Sequence, residues 1–526
     1  MTPQPDHSVT ASGQAPLETG TSTAMTTDAT PPTSRRTVLM GAGGLAMGLG
    51  TLGFIGKHLI APERGAAPTG VGLPDIQHDI GKFMPPPQTF NDGGGNIPVG
   101  LPPRSTVFVT AKLHRTPTQA DQAMLSDALD TIEQHYQFGP GGIFTFISYG
   151  LPYFNRLPSG LVAQFMPRLD FDNSRFVLEE AVPSPTDVSP QNPGIVKQTF
   201  NVPVVIESND FLITLRSDES QNISDVLAWL GGSNRLNGNS VPSPALFNGL
   251  ASVTSSRAMF AQIGMPRFIA DINALPFAGQ INPDSPMWMG FLDQQVNGAG
   301  PPEITTFAGN SSAHITTARP GDYFDNGSVQ HLSHVIEDLA QFYALPSATD
   351  AEGEPFTERV QYMFRSNPIP SKGNSDQFTN GGGPAIFANV FQGSDDADNN
   401  AQGNGTFNGG HRLGHLSGLQ RSSRAADGTP MHIRNDGPGF DSMDVPDGSN
   451  QPKLQFMAFF PTAEFFRVMR VNQASLDLQK KFAVADDDNG LERFTTATRR
   501  QNYLVPPRRS RAFPLVEFTG AGNSGS

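Results

Sequence analysis

Cysteine is missing from all 526 residues. Its absence excludes disulfide scaffolds, thiolate catalysis, cysteine-ligated zinc, iron–sulfur clusters and thiolate-ligated haem. Any metal must be held by histidine, carboxylate, tyrosine or methionine. Charge is scarce as well: 16% of residues are Asp, Glu, Lys or Arg, where about a quarter is usual. Acids outnumber bases 49 to 35, for a net charge of −14. That balance argues against a general nucleic-acid binder, since duplex affinity rests on Lys and Arg neutralising phosphates. Tryptophan is nearly absent, but 37 Phe and seven Tyr suffice to fill a core, so a wholly disordered chain is excluded. With 55 Gly and 46 Pro, much of the chain must be loop. The length is great for one compact domain and comfortable for two, or for one domain with large insertions.

Residues 1–34 are rich in Thr, Ser, Pro and Ala and read as disordered. Arg35 and Arg36 follow, then a run without charges, rich in Gly and Ala, up to Gly56. The pattern resembles a twin-arginine export signal. The rival is a transmembrane anchor, because the run approaches bilayer length. Its many glycines leave it weakly apolar and a poor anchor. That export route carries folded proteins, so a cofactor loaded in the cytosol becomes an expectation.

Residues 62–104 are Pro/Gly-rich and read as an extended lead-in. At Ser105 the texture changes. STVFVTAKL reads as a strand. Leu125, Leu129, Ile132 and Tyr136 then share one helical face, with Thr118 and Asp121 as a capping start. GIFTFISYGL (142–151) reads as a strand. VPVVIES and FLITLRS, about Asn209-Asp210, read as a hairpin. Ile223, Val226, Leu227 and Leu230 stripe a second helix. This strand–helix–strand–strand–helix grammar predicts antiparallel α+β structure with ferredoxin-like logic.

The second half repeats it more loosely. HITTA (314–318) reads as a strand, and Leu332, Val335, Ile336, Leu339 and Tyr343 stripe a helix. PKLQFMAFF (452–460) reads as a strand, Phe465, Phe466 and Met469 open a helix, and NYLVPP closes with a strand. Residues 367–410 read as a loose insertion. The expected organisation is a tail and signal over 1–61, the lead-in, and one two-lobed α+β domain over 105–515, its halves about 105–280 and 281–515.

No HExxH, GxSxG, Walker or strand-linked GxGxxG motif occurs. His411 and His415 in HRLGH would face one way on a helix and chelate an ion, but neighbouring glycines and the lack of an acidic third ligand favour an exposed loop pair. His331 and His334 lie beside an apolar stripe and suit either satisfied boundary histidines or a distal pocket. His432 in PMHIRND stands between Met431 and Ile433. An imidazole held by apolar neighbours suits a core histidine or an axial haem ligand; as a ligand, its second nitrogen would need a carboxylate or carbonyl partner, with Asp436, Asp441 and Asp444 in reach by sequence. Asp293 ends the apolar run PMWMGFL and is either a turn cap or a buried acid–base group.

Taken in order, these segments resemble the dye-decolourising peroxidases. IFTFISYGLPYFNRLP (143–158) is similar to that family's early strand, and ESNDFLITLRSDESQNISDVLAWL (207–230) to its acidic turn, strand and helix. GFLDQ (290–294) resembles the GxxDG motif, GLQRSSRAADGTPMHIR (418–434) the approach to the proximal HIR, and LQFMAFFPTAEFFRVM (454–469) with NYLVPP the C-terminal elements. The resemblance implies a dimeric α+β barrel of two ferredoxin-like halves with helices outside. It implies haem b as cofactor, His432 as the proximal iron ligand, Asp293 as the distal acid–base, and Phe291 and Arg434 at the cofactor. Asp293 would move a proton between the two oxygens of hydrogen peroxide, and an unknown reducing substrate would be oxidised directly or through surface Tyr or Trp. The implied partners are peroxide, that substrate and the twin-arginine translocon, with no nucleic acid and with room for homo-oligomerisation; the implied location is the cell envelope or beyond. Two departures stand out. Gln294 replaces the last Gly of GxxDG. No arginine lies between Arg434 and Lys453, where the family's distal arginine falls, so either Arg434 or an arginine from elsewhere, Arg319 for one, replaces it, or peroxide activation is weak. The rival expectation is a haem-free relative that binds a ligand or partner at the envelope; a structural surface protein is a third.

Overall fold

The computed structural model describes residues 72–86, 88–91, 96–182, 199–283, 285–289, 302–309, 315–343, 432–474 and 494–520. The signal segment, Phe291, Asp293, His411, His415 and the insertion over 367–410 lie outside them.

Two similar units build the fold. The first runs β1 (Ser105–Leu113), α1 (Gln119–His135), β2 (Phe144–Gly150), β3 (Phe211–Ser217), α2 (Ser220–Leu230) and β4 (Ala251–Phe260), with antiparallel strand order β2-β3-β1-β4. The second runs β5 (Ser328–Glu337), β6 (Ile433–Arg434), β7 (Gly437–Asp441), β8 (Gln451–Phe460), α3 (Ala463–Ala474) and β9 (Thr495–Val505). Its order is β6-β8-β5-β9, with β7 also on β8. In both, the strands lie second-third-first-fourth, the ferredoxin-like order. The fourth strand of the second unit pairs with the second strand of the first, Leu504 opposite Tyr149. At the far side β7 packs on β4. A Cβ added to Gly439 would stand 2.8 Å from Ala258 O, and Trp288 Nε1 donates to Gly439 O at 2.9 Å across this seam. The sheet thus closes on itself as an α+β barrel.

Strand alternation divides the core. Val107, Val109, Ile213 and Leu215 face outward, where Leu125, Leu129 and Ile132 of α1 and Ile223, Val226 and Leu227 of α2 cover them. Phe108, Phe146, Leu212, Met259, Leu332, Met457 and Phe459 face inward. One barrel end is stopped by the segment about residues 75–83. Ile80 and Phe83 join the inner cluster, His78 stacks on Phe459 with centroids 4.1 Å apart, and Gln77 Nε2 donates to Ile147 O and Pro506 O. The Pro/Gly-rich stretch therefore contributes directly to the core.

Helix α1 starts where the sequence predicts. Thr118 Oγ1 accepts from Asp121 N–H, and the Asp121 carboxylate accepts from Thr118 N–H at 2.7 Å. Thr118→Ala should cost about 1 kcal/mol, read as a lower denaturant midpoint with an unchanged slope.

Three local expectations fail. The helix over 332–343 is instead β5 followed by a short helix, Leu339–Tyr343. Every residue of β5 is buried, so both faces carry non-surface residues and the period of two disappears. The 202–217 hairpin does not form: Val205–Ile206 runs parallel to β9 at Arg499 and Arg500. HITTA contributes one isolated bridge, Leu169 to Thr316, not a strand. Among the described residues no helix is long and apolar enough to cross a membrane.

Candidate functional site

His432 sits immediately before β6 and is buried. Ile433 and Arg434 pair with Phe459 and Ala458 on β8, which fixes the direction of the chain at the histidine. Its ring lies 5.4 Å from Phe460. Phe460 belongs to an apolar cluster on the outer face of the second unit, with Ala458, Phe465, Phe466 and Met469. Arg434, on β6, is half-buried.

The segment leading to Asp293 is described through Met289. Trp288 is buried against Phe260 and Phe440, and Tyr343 OH donates to its carbonyl at 2.9 Å. Trp288 is thereby tied to the seam beside β7. Asp293 and Phe291 themselves lie outside the described residues, so no distance to His432 exists for either.

His331 and His334 are strand residues pointing opposite ways. His331 stacks on Phe466 at 3.6 Å and donates from Nδ1 to Asn502 Oδ1 at 2.7 Å, while Nε2 accepts from Ser333. Burial lowers it to about 3, so the ring is neutral and fully engaged. His334 points into the barrel, with Nδ1 3.1 Å from Gln455 Oε1 and Nε2 3.5 Å from Asp441 Oδ1. Arg319 is half-exposed, 3.7 Å from Asp170, at the surface.

Two features were not read from the sequence. Arg500, buried on the outer face of β9, holds its guanidinium 5.8 Å over the Phe466 ring. It thus shares the aromatic cluster that flanks His432, Phe466 and Phe460 being 6.5 Å apart. The second is a charged lining inside the barrel. Arg257 pairs with Glu207. Arg499 grips Asp444 with two bonds of 2.7 Å. Lys453 donates to Met443 O at 2.6 Å and lies 3.7 Å from Asp441. Burial lowers Lys453 to about 8, against the pull of Asp441 and Asp444. Burial alone would raise Asp441, but His334 and Lys453 outweigh it and hold the carboxyl low.

No three metal-ligating side chains gather among the described residues. A haem needs less: one nitrogen donor in an apolar, aromatic setting. His331 is committed at both nitrogens, His334 lies among charges, and His78, with Nε2 bonded to Thr305, is stacked on Phe459 inside the barrel. Buried His432, beside Phe460, has the donor chemistry and the surroundings that fit axial ligation.

Fold and site together describe an α+β barrel of two ferredoxin-like units with a buried histidine at the edge of the second sheet. The chain belongs to a family of unknown function, DUF7405, whose profile spans residues 103–507. Among solved structures the chain is similar to a dye-decolorizing peroxidase from Bacteroides thetaiotaomicron at 13% identity, covering 83% of this chain and 99% of that one, TM-score 0.40. It is similar also to DyPB from Rhodococcus jostii at 12%, covering 78% and 94%, TM-score 0.41. The encapsulated DyP-type peroxidase from Mycobacterium smegmatis stands at 14%, covering 78% and 94%, TM-score 0.39. No curated protein sequence matches.

Proposed function

We propose that this protein is an exported haem-binding protein with peroxidase-like oxidoreductase activity. The observation that carries the reading is His432, a buried imidazole of an HIR motif at the start of an edge strand, against Phe460. Haem b, when bound, would supply the redox centre that accepts electrons from a reducing substrate and delivers them to peroxide. His432 would hold the iron. Phe460 would give an apolar wall that excludes water from that side. Asp293 would take a proton from one peroxide oxygen and return it to the other. Arg500 would supply the positive charge that the segment between Arg434 and Lys453 lacks, because it is buried in the same aromatic cluster. The Arg35-Arg36 signal supports export with cofactor loaded.

A second reading, a haem-free binding protein of the envelope, is favoured by the missing arginine after Arg434 and by Gln294. Peroxide turnover separates the two. Protein expressed with haem supply should oxidise a dye in the presence of hydrogen peroxide, and Asp293→Asn should lower kcat by about 100-fold or more. Haem-loaded Asp293→Asn with unchanged turnover removes Asp293 from the mechanism; folded protein that takes up no haem leaves the second reading.

A further inference from the structure

Arg216 is the one cation in the barrel lining with no carboxylate within ion-pair reach among the described residues. It lies on β3, pairs in register with Thr106 and Phe144, and so points inward, away from the outer face that carries His432. Its side chain is fully buried. Nε donates to Thr106 Oγ1 at 3.1 Å and Nη1 to Asn435 Oδ1 at 3.1 Å. Nη2 has no acceptor among the described residues. The acids nearest in sequence turn elsewhere: Asp218 accepts from the backbone N–H of Arg104, and Glu219 stands 3.6 Å from the Arg104 guanidinium. Arg257, Arg499 and Lys453, by contrast, each have a carboxylate within 4 Å.

A buried guanidinium without a counter-ion is strongly disfavoured. Burial depresses Arg216 to about 9, so it remains charged at neutral pH. Five N–H donors in a planar fork, with Nη2 unfilled, match an oxyanion. Asn435, half-buried in the turn between β6 and β7, is the more exposed of the two residues that bond the guanidinium.

We propose that Arg216 anchors a small-anion site inside the barrel, taking a carboxylate or phosphate group that binds Nη2 beside Asn435. The site is separate from the haem reading and stands without it.

The test is thermal unfolding of the full chain against rising inorganic phosphate or acetate, each compared with chloride at equal ionic strength. A saturable rise in Tm with phosphate, with acetate or with both supports the site and identifies the anion. Arg216→Met should weaken the response at least tenfold. Should Arg216→Met fail to fold, Asn435→Asp decides: a carboxylate beside Nη1 supplies the missing charge, so Tm should rise in anion-free buffer and the anion response should vanish. A wild type that responds to both anions as it does to chloride overturns the proposal. So does a folded Arg216→Met, or an Asn435→Asp, that responds like wild type.

Discussion

Acidification from pH 6.5 to pH 4 should remove about 4 kcal/mol of stability, and the loss should steepen below pH 4.5. Two fully buried histidines cause it. Burial lowers His78 and His331 each to about 3, so both stay neutral in the native state while the unfolded chain takes up protons near 6.5. Between those values the unfolded state binds more protons, so stability falls with pH by about 1.4 kcal/mol per unit for each ring. Glu337 acts in the opposite sense. Burial, helped by Asp436, raises it to about 8, so between about pH 4.5 and 8 the native state holds the extra proton and stability grows as pH falls. The opposing terms place the stability maximum near pH 6.5, and below 4.5 the histidines act unopposed. Paired carboxylates held low, Asp441 and Asp444 among them, deepen the loss in acid. Native stabilities are about 5–15 kcal/mol, so the chain should lie near its unfolding threshold at pH 4. Denaturant titrations across this range read the effect. His331→Gln keeps a donor for Asn502 and should reduce the slope below pH 4.5 by about one proton. A flat pH profile between 6.5 and 4 would mean that these rings take up protons without unfolding.

The second large effect lies at the turn before β3. The Asp210 carboxylate is fully buried. It accepts from Arg156 Nε at 2.6 Å and Nη2 at 2.9 Å, and from the Leu113 backbone N–H at 2.8 Å. The backbone is committed too: Asp210 N–H donates to Ala111 O, and Gly150 N–H donates to Asp210 O. One residue thus ties β1, β2 and β3 together. Arg156→Ala should cost about 3–5 kcal/mol, because it leaves a buried carboxylate without its cation. Adding Asp210→Ala should cost less than the sum of the two single changes, with a coupling of about 1–3 kcal/mol in a double-mutant cycle. A single-variant loss below about 1 kcal/mol would show that water reaches the carboxylate.

Much of the fold is legible in the sequence because one-sided burial writes a period. The stripes of α1 and α2 follow that rule. β2 and β3 are buried on both faces and are legible instead as short runs of β-branched and aromatic residues, as are β1, β8 and β9. β5 offers no such run. Wholly buried, it mixes Gln330, His331, Ser333 and His334 with Leu332 and Ile336, and its apolar positions fall by chance at helical spacing. The partner of Val205–Ile206 lies on β9, nearly 300 positions away, and no local pattern announces such a pairing. The barrel interior misleads in another way. Arg216, Arg257 and Lys453 alternate with apolar residues as on a half-exposed strand, yet in a closed barrel the inner face that carries them is buried too. The HIR motif makes His432 legible. Arg500 is not, because nothing in TATRRQNYLV says which arginine turns to the aromatic cluster.

Haemin titration of the purified, haem-depleted chain, followed at the Soret band, bears most directly on His432. Wild type should saturate at about one haem per chain with a histidine-ligated spectrum, and His432→Ala, equally folded by its melting curve, should lose that band or shift it. A folded wild type that takes up no haem, or a His432→Ala protein with the same spectrum and affinity, would contradict the haem assignment.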